Sequence, residues 1–141
     1  MTSLRPGEPE YRGRQTAALA LPPTPASALA ARQAVSDFLG ADSPKAGAVA
    51  VVVNELVTNA VVHAGTDIRL VLEYQEGEET VMVVVHDGVP PAQSGLGRGH
   101  RPQLRRATSG RGLVLVGRLS RDWGVQAEER GKAVWAVVPV N

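Results

Sequence analysis

Glu55, Thr58, Asn59 and His63 stand three and four residues apart, so in a helix they form one polar line. Val49, Val52, Val53, Leu56, Val57, Ala60 and Val61 fill most of the remaining circumference, which predicts a largely buried helix. A solvated stripe ordinarily carries long Lys, Arg and Glu side chains, whereas this one carries short groups and a single carboxylate. A buried carboxylate must be paired or must coordinate a cation. Two readings fit: a site built on Glu55 and Asn59, or an amphipathic helix whose exposed edge happens to be neutral.

Two further stretches could do chemistry. Asp87 and Gly88 close a β-branched run, Thr80 to His86. A carboxylate there can accept from an amine, and the glycine lets a ligand approach the main chain. An ordinary Asp-Gly turn has the same sequence. Ser109-Gly110-Arg111-Gly112 leads directly into the apolar stretch Leu113 to Leu119. Glycines opening a helix leave N–H groups unpaired and pointing one way, which suits an anion such as phosphate; a loop exit with positive φ also needs glycine.

Other chemistries are excluded or disfavoured. Gly95-Leu96-Gly97-Arg98-Gly99 follows Pro-Pro-Ala-Gln-Ser rather than a strand, and Pro102 interrupts any helix, so it is no dinucleotide fingerprint. Gly131-Lys132 is followed by Ala133 and lacks the upstream glycine of a phosphate-binding P-loop. No nucleophile elbow supports Ser-His-Asp catalysis. His86 and His100 have no partner spacing for a metal and read as solvated. There is no cysteine, hence no disulfide, zinc-thiolate site or thiol nucleophile. Arg98, Arg101, Arg105 and Arg106 could meet nucleic-acid phosphates, but aromatic interleaving is sparse and the formal net charge is +1, so direct nucleic-acid binding is not expected.

The elements that must position these residues are legible from punctuation. Residues 1–14, rich in Pro, Gly and charge, read as a flexible tail ahead of a single domain over 15–141. Ala17 to Leu21 reads as a short edge strand stopped by Pro22-Pro23. Thr24-Pro25 opens a helix that ends at Gly40, and Ser43-Pro44 opens the central helix that Gly65 stops. Ile68 to Tyr74 alternates polar and apolar, Gln75 to Glu79 is a polar turn around Gly77, and Thr80 to His86 reads as a central strand. Ala92 to Ser109 has no hydrophobic period, the mark of a lid or binding loop. A helix over 113–119 and a closing hairpin, Trp123 to Ala127 with Ala133 to Val138, complete the order. This predicts an α+β two-layer sandwich, a mixed, mainly antiparallel sheet with helices on one face. The 141 residues suffice for one core, which the five aromatics (Tyr11, Phe38, Tyr74, Trp123, Trp135) leave mostly aliphatic. No apolar run reads as membrane-spanning, and Glu8, Glu10 and Pro22-Pro23 argue against a secretory signal, so the chain reads as cytoplasmic.

In combination the stretches resemble a known family. Glu55-Leu56-Val57-Thr58-Asn59-Ala60-Val61-Val62-His63-Ala64 resembles the N-box of the GHKL ATPases, Val85-His86-Asp87-Gly88 their adenine-binding G1 box, and Gly110-Arg111-Gly112-Leu113 their G2 box. Gly131-Lys132-Ala133-Val134-Trp135 resembles the closing strand of the anti-sigma-factor serine/threonine kinases, the branch to which the chain is most similar. The resemblance covers Ala17 to Pro139 and implies a Bergerat-type fold with an ATP site between helices and sheet. It implies that Asn59 offers its amide oxygen to Mg²⁺ and that Glu55 accepts a proton from an attacking hydroxyl. Asp87, with Gly88, would meet the adenine amino group. The amides of Gly110 and Gly112, with Arg111, would hold the triphosphate, and His63 and Leu113 lie in the same boxes. The implied partners are an anti-anti-sigma protein carrying the hydroxyl and a sigma factor, with a homodimer as the implied assembly. Three departures (Val89-Pro90 after Gly88, Ala133 where the family commonly has an adenine-supporting threonine, and the arginine-rich loop) motivate an alternative, a catalytically weak or inactive nucleotide-binding and protein-interaction module.

Overall fold

The computed structural model describes residues 14–91 and 112–140. The expected tail, the loop Ala92 to Ser109, and Gly110 and Arg111 lie outside the described residues. The chain folds as β1 (Arg14–Leu21), α1 (Ala26–Leu39), α2 (Ala46–Asn59), β2 (Ile68–Gln75), β3 (Thr80–Asp87), α3 (Gly112–Leu119), β4 (Asp122–Glu128) and β5 (Gly131–Pro139). Five strands form one sheet in the order β1-β2-β3-β5-β4, and every pairing is antiparallel.

Register explains the core. Leu72, Val83, Ala136 and Trp123 lie opposite one another across four strands, and Leu70, Val85, Val134 and Val125 form the next row. Because directly opposed residues share a face, these rows make one continuous apolar surface. The helices cover it with Ala31 and Val35 of α1, Val49, Val52, Val53, Leu56 and Val57 of α2, and Leu113 and Val116 of α3, all buried. The other sheet face carries Met82, Val84, His86, Trp135 and Val137, each half-buried.

The helix boundaries follow the predicted signals. Ser43 Oγ accepts the Lys45 N–H at 3.1 Å just ahead of α2, and Gly65 ends the helix in the left-handed region (φ 65°). Between them, Ala60–Ala64 widens into a π-turn, and Gly65 N–H reaches back five residues to Ala60 O at 3.2 Å. Such turns recur at functional sites. From Ala46 to Ala64 this helix is long and apolar enough to cross a bilayer by length and composition, contrary to expectation. Ala46, Val49, Val52, Val53, Leu56 and Val57 on one side of it are buried in the core, while Val51 and Val62 are exposed. In the β2–β3 hairpin the left-handed residue is Glu79 (φ 51°) rather than Gly77. Glu79 O accepts Val140 N–H at 2.9 Å and its carboxylate accepts the Tyr74 hydroxyl at 3.1 Å, contacts that tie it in place.

Candidate functional site

The α2 stripe emerges along a helix edge, but it is less buried than the residue types suggest. Glu55, Thr58 and Asn59 are half-buried and His63, on the π-turn, is exposed. Glu55 Oε2 accepts from Asn54 Nδ2 at 3.4 Å, and Asn54 Oδ1 accepts from Arg32 Nη1 of α1 at 3.2 Å. The carboxylate is therefore open to an arriving group and only loosely held. Among the described residues it is not locked into a buried pair.

The second predicted carboxylate behaves in the opposite way. Asp87 is 8 % exposed and extends the core rows by one step, where the register sets it directly opposite Lys132. Lys132, 2 % exposed, places Nζ 2.9 Å from Asp87 Oδ2 and 3.0 Å from Oδ1, and donates to Val89 O at 3.2 Å. Val89 N–H donates to Asp87 Oδ1 at 2.8 Å. A carboxylate oxygen offers two acceptor positions, so Oδ2 keeps one beyond its contact with Lys132 among the described residues. Opposite-charge cross-strand pairs stabilise a sheet, and a buried one is strongly destabilised when one partner is removed.

Two backbone fits hold this corner. Gly88 N–H donates to Thr66 Oγ1 at 2.8 Å, which connects the end of β3 to the segment just after the π-turn. At Gly131 a methyl group would overlap Asp87 O and stand 2.8 Å from Gly88 Cα, so the first residue of β5 must be glycine for the strands to meet. Ala133, which occupies the family's threonine position, lies opposite His86 and so on the other sheet face from Asp87. The side chain facing Asp87 is Lys132. His86 Nδ1 stands 2.9 Å from Glu128 Oε1 on that outer face.

Sequence reasoning missed Lys132, Thr66 and Asn54. A lysine opening an otherwise apolar strand was the available signal for the first; the other two depend on how distant segments meet. Of the residues in the third motif, α3 begins at Gly112, and Leu113 is 1 % exposed and belongs to the core. Any part Leu113 plays at a ligand is therefore through its main chain. Among the described residues no cluster of three or more His, Asp or Glu could cage a metal. Mg²⁺ keeps several waters and takes phosphate oxygens besides one or two protein oxygen ligands, and the half-buried Asn59 amide oxygen on the α2 edge is a donor of that kind.

Residues 21–138 match the family model described as the histidine kinase-like ATPase domain. Among solved structures, the chain is similar to that of the RsbU and RsbW domains of Rv1364c from Mycobacterium tuberculosis, with 18 % identity and a TM-score of 0.63 over 89 % of this chain and 32 % of that one. It is also similar to the histidine kinase domain of a blue-light activated histidine kinase from Erythrobacter litoralis EL346, with 20 % identity and a TM-score of 0.49 over 82 % of this chain and 60 % of that one. The chain spans about a third of the length of the mycobacterial structure, and the likeness is one of fold. Comparison with curated protein sequences finds none that matches.

Proposed function

This chain belongs to the histidine kinase-like ATPase domain family, and from that premise we propose that it binds ATP with Mg²⁺ and transfers the γ-phosphoryl group to a serine or threonine of a protein partner. The partner class is an anti-anti-sigma protein, and the same domain holds a sigma factor, acting in the cytoplasm as a homodimer. The anti-sigma branch is supported by the Gly131-to-Trp135 strand and by the fold shared with the RsbU and RsbW domain structure.

One observation carries the reading. A half-exposed carboxylate and carboxamide stand one turn apart on α2, while a buried carboxylate with a spare acceptor position closes β3, a strand that α2 packs against. In this proposal Asp87, beside Gly88, accepts from the adenine amino group. Asn59 contributes its amide oxygen to Mg²⁺, which when bound neutralises charge on the phosphates. Gly110 and Arg111, which lie outside the described residues, would hold the triphosphate together with the main chain at Gly112 and Leu113, and His63 would border it. Glu55 takes the proton of the attacking hydroxyl while the new oxygen–phosphorus bond forms and ADP departs.

The test is phosphoryl transfer from radiolabelled Mg-ATP to a partner serine. Glu55→Ala is expected to lower the rate about 100-fold or more while leaving nucleotide affinity and Tm near wild type. Transfer that survives the substitution unchanged overturns the role of Glu55, and no calorimetric heat with millimolar Mg-ATP overturns the nucleotide reading. The departures at Val89-Pro90 and Ala133 motivate a second reading: nucleotide binds and shapes a partner surface without transfer. It predicts binding with no phosphorylated product.

A further inference from the structure

The Lys132–Asp87 contact has no part in the proposal that Asp87 accepts from a base. An ammonium has three N–H donors, and three oxygens stand in range of Lys132 Nζ: Asp87 Oδ2 at 2.9 Å, Asp87 Oδ1 at 3.0 Å and Val89 O at 3.2 Å. With its donors occupied, Lys132 acts on a bound molecule through Asp87 rather than directly. Among the described residues, the other charged groups near this corner make no contact with the carboxylate. His86, next along β3, faces the other side of the sheet and pairs with Glu128 of β4. On α2, which packs over this face, Glu55 is half-exposed, and His63 on the π-turn is exposed.

We propose that Lys132 is a specificity-determining positioning residue: by holding the Asp87 carboxylate in one orientation, it makes the base site select 6-amino over 6-oxo purines. The inference rests on the nucleotide reading above. An ionised carboxylate only accepts hydrogen bonds, so it pairs with an amino group and repels a carbonyl oxygen. Deprived of its ammonium, the carboxylate loses the contacts that fix which oxygen faces a base. Lys132 thus decides which acceptor Asp87 presents.

Calorimetric titration of the full chain with Mg-ATP and with Mg-inosine triphosphate, in which a carbonyl replaces the 6-amino group, tests this. Wild type is expected to prefer ATP by roughly 10- to 100-fold, the worth of one hydrogen bond to a charged acceptor. Lys132→Met is expected to abolish most of that preference. Lys132→Gln, whose neutral amide has two donors for the three oxygens, serves if the Met variant fails to fold, and it too is expected to lose most of the preference. A wild type without preference, or a preference retained in either variant, overturns the role of Lys132. Absence of heat with both triphosphates in wild type is a separate result and overturns the nucleotide reading itself.

Discussion

The two carboxylates of the candidate site sit in contrasting surroundings. Asp87 is fixed by sheet register, an ammonium, a main-chain N–H and a glycine flush against its carbonyl. Glu55 rests on a helix edge with one 3.4 Å contact, to its neighbour, among the described residues and is half-buried. In the function proposed above, the contrast separates two jobs. A group that discriminates among small molecules gains from a rigid frame, because misplacement costs selectivity. A group that takes a proton from another protein must be reachable, and the helix edge leaves it so.

Substitutions can break or sharpen this comparison. The largest expected effect is at the rigid corner, where Asp87→Ala leaves the Lys132 ammonium buried without a counter-ion. A loss of about 3–5 kcal/mol is expected in chemical denaturation. A loss comparable to that of an ordinary surface substitution would show the corner to be looser than its geometry. Gly131→Ala should follow, at about 1–3 kcal/mol, because the added methyl forces β5 away from Asp87 and Gly88; a shift in Tm reads it. The Glu55→Ala variant used for phosphoryl transfer should change stability by no more than about 0.5 kcal/mol. If it destabilises as much as Asp87→Ala, the distinction between the two regions disappears.

The smallest effect is expected far from both, at Lys45, whose ammonium donates to the Tyr74 hydroxyl at 2.8 Å and lies 4.8 Å from the ring centroid. That hydrogen bond favours the charged form and raises the pKa above the ordinary 10.5. A folded-state value above the unfolded one means the contribution is complete below the unfolded pKa and is lost as pH rises through the folded one. Melting curves of wild type and Lys45→Met should therefore differ by a small, constant gap at neutral pH that closes only in strong alkali. A gap that closes near neutrality would assign the stabilisation to another group.

Much of the fold was legible because its signals are local. Ser43 and Gly65 bracket the central helix, Pro22-Pro23 ends the first strand, and alternation in Ile68 to Tyr74 sets one strand face. The Glu55/Asn59 spacing needed only the helical period. Lys132 was not legible as a partner of Asp87, since their meeting depends on the pairing of strands separated by 45 residues in sequence. The same register sends Ala133 to the outer face, which residue-by-residue comparison of motifs does not reveal. The π-turn left no sequence mark, because its residues, Ala60 to Ala64, would continue an ordinary α-helix equally well. Glu79 adopts a conformation that composition assigns to Gly77, held there by contacts with Val140 and Tyr74.

The sheet order β1-β2-β3-β5-β4 also has a temporal consequence. During synthesis, β3 is completed with one side unpaired, and the strand that fills the gap follows every other described element out of the ribosome. Until it docks, Asp87 has no ammonium opposite it and the inner half of the sheet has no closing rung. The polar corner is thus the last part of the described sheet to be assembled.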